Sequence, residues 1–74
     1  MDFKQATDRA TKTCIALADI AEVSGVTHHS VRRARLDPRT VSYRSPPGGW
    51  EQAIAKLARE RAGELVKLAE ELEG

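Results

Sequence analysis

Cysteine is almost missing from this chain of 74 residues, with Cys14 the only one. One thiol excludes an intramolecular disulfide and any zinc site built on paired cysteines. In a helical stretch a lone cysteine reads as a small buried apolar residue, and no triad accompanies it. It suits a reducing compartment. Aromatic residues are scarce too, one each of Phe, Tyr and Trp. Alternating apolar pattern is nearly absent, which argues against a sheet. No apolar run has the length of a membrane span or a secretory signal. The expectation is a soluble, cytoplasmic protein with no membrane contact. Its length suits one domain, 1–74, burying only about 60% of its unfolded surface. Association between copies is one way to add to so thin a core.

Net charge is only +1, but the charge is unevenly spread. Residues 27–45 hold Arg32, Arg33, Arg35, Arg39 and Arg44 against Asp37 alone, whereas the segments on either side are mildly acidic. A basic block between acidic flanks is the electrostatic footprint expected of a partner for a polyanion. The plainer reading is a solvated, arginine-rich surface.

Helical periodicity accounts for most of the chain. Around residues 2–12, Phe3, Ala6, Thr7 and Ala10 fall on one face, with Asp2 as a cap. Around 16–24, Leu17, Ile20, Ala21 and Ser24 share a face, with Val23 beside them. Gly25 then accepts the left-handed backbone that closes a helix. A third segment starts at Thr27, a capping residue type, and carries Val31, Ala34 and Leu36 before Asp37-Pro38 stops it. Residues 37–49 read as a Pro/Gly-rich linker with Val41 and Tyr43 as anchors. The last segment, 47–72, repeats Trp50, Ile54, Leu57, Ala58, Ala62, Leu65, Leu68, Ala69 and Leu72 at spacings of three and four. Gly63 marks a possible bend or break. Trp50 reads as a core anchor. Leu65, Leu68 and Leu72 either fold back on the first helix or form a surface between copies.

The run LADIAEVSGVTHHSVRRARL, residues 17–36, carries the functional signal. Ala21 is small where two helices cross, Gly25 permits the turn, and Val26 plugs it into the core. Ile20 forms one wall, with Val31 and Ala34 packing opposite. The pattern describes two helices near a right angle, joined by a turn of about three to four residues.

This run resembles the helix-turn-helix of the phage Cro and repressor family, through the spacing of Ala21, Gly25, Val26, Val31 and Ala34. It covers 20 of the 74 residues. Ser24 stands where the family more often has an apolar residue, and the linker is longer than usual. The ending is similar to small prophage-type regulators. The resemblance implies an all-α fold, a small four- to five-helix bundle containing a helix-turn-helix, with a long C-terminal helix or helix pair. It implies a transcriptional regulator, a repressor, that binds double-stranded DNA as a homodimer on an inverted repeat.

In such a motif the second helix lies in the major groove with its N-terminal residues at the base edges. That geometry puts His28 and His29 at the groove-facing start and assigns direct base contact to Arg32 or His28, arginine pairing with guanine. Arg33 reaches bases or phosphate. Thr27 caps and offers its hydroxyl to a phosphate. Arg35, Arg39 and Arg44 fit phosphates from the rim, and Leu36 completes the exposed side. Other readings stay open: Thr27 as a cap only, Arg35 laid along the core surface, and Arg44 docking the linker. Adjacent histidines point about 100° apart on a helix and have no third ligand, so no metal is expected. No cofactor is expected either, and no nucleophile, base and orienter assemble into an enzyme. The alternative function is a helical protein-interaction module, antitoxin- or adaptor-like, on the same scaffold.

Overall fold

The computed structural model describes all 74 residues and contains four helices and no strand. They are α1 (Phe3–Lys12), α2 (Leu17–Ser24), α3 (His28–Ala34) and α4 (Trp50–Glu73). The all-α expectation holds, with four helices, and the C-terminal segment is one continuous helix. Gly63 does not break it. One glycine costs about 1 kcal/mol against alanine, and Ala, Leu, Glu, Lys and Arg on both sides supply good helix formers.

Asp2 caps α1, its carboxylate accepting from the Gln5 N–H at 2.8 Å while the Gln5 side chain accepts from the Asp2 N–H at 3.0 Å. The face predicted to point inward does so: Phe3, Ala6, Thr7 and Ala10 are all buried. At its end the backbone turns left-handed at Cys14 (φ 69°), and the Ile15 N–H returns to the Ala10 carbonyl at 3.0 Å. The same device closes α2. There Gly25 is left-handed (φ 70°), its N–H meets the Glu22 carbonyl at 3.2 Å, and the Val26 N–H reaches the Ala21 carbonyl at 3.0 Å. This is the Schellman pattern, which satisfies carbonyls left free at a helix end. Each time, the next residue is apolar and turns inward: Ile15 is 2% exposed, and Val26 is half-buried against the core.

One sequence-based expectation fails at these turns. Cys14 is exposed, not a buried apolar residue, because its left-handed position lies outside the helix face and Ile15 takes the inward place. Val23 is 37% exposed, and the buried Ser24 hydroxyl has no hydrogen-bond partner.

Ile20 and Val31, both fully buried, sit where α2 and α3 pack on each other. Burying side chains of this size stabilises by about 1.5–3 kcal/mol each. Ala21 and Ala34, small and buried, complete the cluster with Phe3, Ala10 and Ile15. Trp50 anchors the start of α4, its ring edge-to-face on Phe3 with centroids 5.3 Å apart. Ile54 and Leu57 extend that contact. Arg61 then reaches back, donating to Asp19 at 3.1 Å and to the Cys14 carbonyl at 3.3 Å.

Beyond Arg61 the helix leaves the body. Every residue of α4 from 62 onward is exposed, including Leu65, Val66, Leu68 and Leu72. At 1.5 Å per residue these twelve helical positions project about 18 Å, which accounts for the elongated 53 × 20 × 18 Å envelope. So the fold-back of Leu65, Leu68 and Leu72 onto α1 does not occur. No helix is long and apolar enough to cross a membrane.

Candidate nucleic-acid interface

Three residues, 25–27, connect α2 to α3. Thr27 caps α3 as expected, accepting from the Ser30 N–H at 3.0 Å, and its hydroxyl also lies 3.0 Å from Ser30 Oγ. Val31 and Ala34 face the core. Geometry then leaves the other side of this short helix to solvent: His28, His29 and Arg32 are exposed, and Arg33 is half-buried. His28 and Arg32, four apart, stand on one face. Arg32 takes part in none of the chain's four ion pairs.

A shallow recess of about 560 Å³ opens on this side, lined by Lys4, His29, Arg32, Arg33, Arg35 and Leu36. Five of the six are basic side-chain types, and no carboxylate lines it. Lys4 was missed from sequence. It lies in α1, which bears no charge signal of its own. The available clue was its place next to Phe3: an inward Phe3 sets Lys4 on an outward flank, but which neighbour it meets depends on how α1 packs.

The remaining arginines split by their partners. Arg35 is turned inward. Its Nε donates to the Thr7 hydroxyl at 2.8 Å and its terminal nitrogen pairs with Asp8, tying α3 to α1. Thr7, the only buried polar residue, passes its own proton to the Phe3 carbonyl at 2.9 Å and the Lys4 carbonyl at 3.1 Å, so its hydroxyl is satisfied on both counts. Burial raises the Asp8 pKa, but the Arg35 hydrogen bond and the charges of Lys4 and Arg35 outweigh it and hold the carboxyl below its ordinary 3.8. Arg35 therefore joins two helices, and only part of it, 26% exposed, shows at the recess.

Arg33 Nε donates to the Ser42 carbonyl at 2.7 Å, and the Arg44 N–H meets the Arg33 carbonyl at 3.4 Å. These two contacts fold the linker back over the end of α3. They keep Arg44, which is exposed, beside that helix. Arg39, also exposed, pairs with Asp37 at 2.9 Å. Its side-chain and backbone hydrogen bonds draw the Asp37 carboxyl below its usual range, and the Arg39 guanidinium is pushed up in return. Leu36 is 40% exposed at the recess edge. Of the two linker anchors, Tyr43 is half-buried, but Val41 is 98% exposed and anchors nothing, because the turns 37–40 and 40–43 point it away from the body.

Comparison with protein-family models, with curated proteins and with solved structures gives no match. Nor do three or more His, Cys, Asp or Glu side chains gather in a cluster. Together these residues make one surface: a short helix with a free basic side, a concave edge extended by α1, and a linker that holds one more arginine alongside.

Proposed function

We propose that this chain is a sequence-specific regulator of the phage Cro and repressor type that binds double-stranded DNA. In this reading α2 and α3 form a helix-turn-helix, and α3 enters the major groove. The observation that carries the proposal is the recess of basic side chains on the outward face of α3, continued by Lys4 and free of carboxylates. Such a surface suits a polyanion. A helix of this diameter fits the major groove, and arginine at a base edge pairs bidentately with guanine.

The geometry supports a division of labour. His28, His29 and Arg32, exposed and uncommitted, are the side chains for base edges. Arg33, Arg44 and Lys4 stand at the rim and suit phosphates, Lys4 by exchanging Asp8, whose carboxylate lies 3.5 Å from its Nζ. Thr27 serves as the cap, and its hydroxyl is already engaged by Ser30. Arg35 holds α3 in position against α1, while Arg39 reaches phosphate only by exchanging Asp37 for it. Leu36 adds an apolar edge. The protein acts as a cytoplasmic repressor by occupying its site, and it binds as a homodimer across an inverted repeat.

Selection from random duplexes tests the proposal. The expected product is an inverted repeat with half-sites separated by about one helical turn, roughly 34–36 Å. No enrichment at about 0.1 M salt, where charge contacts still hold, would overturn it. The interaction-module alternative is separated by reversing Arg32 and Arg33 to glutamate. Loss of the duplex with an unchanged circular dichroism spectrum supports the DNA reading. An unchanged cellular phenotype supports the alternative.

A further inference from the structure

The projecting half of α4 carries a second pattern that the body of the protein does not use. Positions 62, 65, 69 and 72 alternate by three and four, the heptad spacing of a coiled-coil seam. The residues are Ala62, Leu65, Ala69 and Leu72. Alanine occupies one seam position and leucine the other. All four are exposed. The seam begins beyond Arg61, where every residue is exposed, and its mean direction is about 70° round the helix from that of Trp50, Ile54, Leu57 and Arg61, so both surfaces can be occupied at once.

We infer that this seam pairs with the same seam of a second copy, antiparallel, with the two-fold axis near residue 67. The inference rests on the homodimer part of the functional reading and specifies how that dimer is built. Three observations select the arrangement. In antiparallel register Ala62 faces Leu72 of the second copy and Leu65 faces its Ala69. Every layer then matches a small residue with a large one, which lets facing layers interdigitate. On one flank of the seam lie Arg59, Val66 and Glu73, seven apart. Antiparallel pairing sets Arg59 against Glu73 of the second copy at both ends and Val66 against its counterpart in the middle. On the other flank Leu68 meets Leu68. The apolar flanks fall at the axis and the opposite charges at the ends.

Parallel pairing fails on the same residues. It places alanine on alanine and leaves space between the backbones at those layers. It sets Leu68 beside Glu73. It also brings Glu70, Glu71 and Glu73 of both copies together at one end, where like charges repel. The antiparallel form separates those acidic clusters and brings each towards the Arg59 and Arg61 end of its partner, with the two helix dipoles opposed.

The experiment uses the full chain with Cys14→Ser. Chains carrying Ala62→Cys are mixed with chains carrying Leu72→Cys and oxidised, and the cross-linked peptides are identified by mass spectrometry. The expected product joins 62 to 72. Dominant 62–62 and 72–72 products mean parallel pairing and overturn the inference, as does an absence of cross-links. Sedimentation supplies a second readout that leaves the seam intact. Arg59→Glu and Glu73→Arg should each weaken the dimer, and the two combined should restore it; a double variant no tighter than the singles overturns the register. A chain that is monomeric yet selects a DNA half-site would sink the dimer and leave the DNA reading standing. A 62–72 dimer that selects no duplex would do the reverse.

Discussion

Substitution at the two left-handed turns should move stability in opposite directions. Gly25 (φ 70°) and Cys14 (φ 69°) hold the same backbone conformation at the ends of α2 and α1. A Cβ added at Gly25 meets nothing within 4 Å, so Gly25→Ala introduces no collision and only the backbone term remains. Placing an L residue in this region costs about 1–2 kcal/mol. Removing glycine's freedom from the unfolded chain returns about 0.4–1 kcal/mol. Taking the middle of each range, the net expectation is a loss of about 0.8 kcal/mol, or roughly 3–6 °C in Tm for a domain of this size. Cys14→Gly reverses both contributions. Because Cys14 is exposed, it gives up little packing and should gain a similar amount. Thermal and urea unfolding followed by far-ultraviolet circular dichroism measure both variants. A neutral or stabilising Gly25→Ala, or changes of the same sign in the two variants, would refute the reasoning.

Thr27→Ala removes the α3 cap and should lower stability by about 1 kcal/mol, read as a shift in the urea midpoint at unchanged slope. Ile20→Ala empties the fully buried α2–α3 contact and should lose about 2–5 kcal/mol, enough to leave so small a domain largely unfolded by circular dichroism. The Asp8–Arg35 tie should respond to acid. Its carboxyl is depressed in the folded chain, so its contribution is complete above the ordinary value of 3.8 and is lost as pH falls through the lower folded value. Asp8→Asn should therefore flatten the acid side of a Tm-against-pH curve, and an unaltered acid limb would contradict the tie. If Lys4, Arg33 and Arg44 of both copies contact phosphates, log affinity should fall against log salt with a slope of about −5; a flat response would argue against that assignment.

Local physics made much of this fold readable. The inward face of α1 follows from the spacing of Phe3, Ala6, Thr7 and Ala10. The bend before α3 follows from Gly25, and the cap from Thr27. Residues between helices were harder. Ile15 belongs to no helical period, so its burial was not visible. Cys14 occupies a left-handed position that usually announces itself by glycine. Arg35 reads as one more basic residue in a basic block, since its partner Asp8 is 27 positions away and meets it only after α1 packs on α3. Lys4 enters the recess for the same reason. The apolar repeat along α4 is plain in the sequence, but a repeat does not say what surface covers it. Only the packing at Trp50, Ile54 and Leu57 reveals that the body ends before Leu65.

Whether the outward side of α3 reads a duplex is measured by titrating the unchanged chain and Arg32→Ala against the selected site and against an unrelated duplex, followed by fluorescence anisotropy. Loss of a base-edge contact worth about 1–3 kcal/mol in each of two half-sites predicts a drop of at least about 30-fold on the selected site, with a much smaller change on the unrelated one. Equal affinity of the unchanged chain for both duplexes, or an Arg32→Ala chain that still prefers the selected site by the same factor, would contradict it.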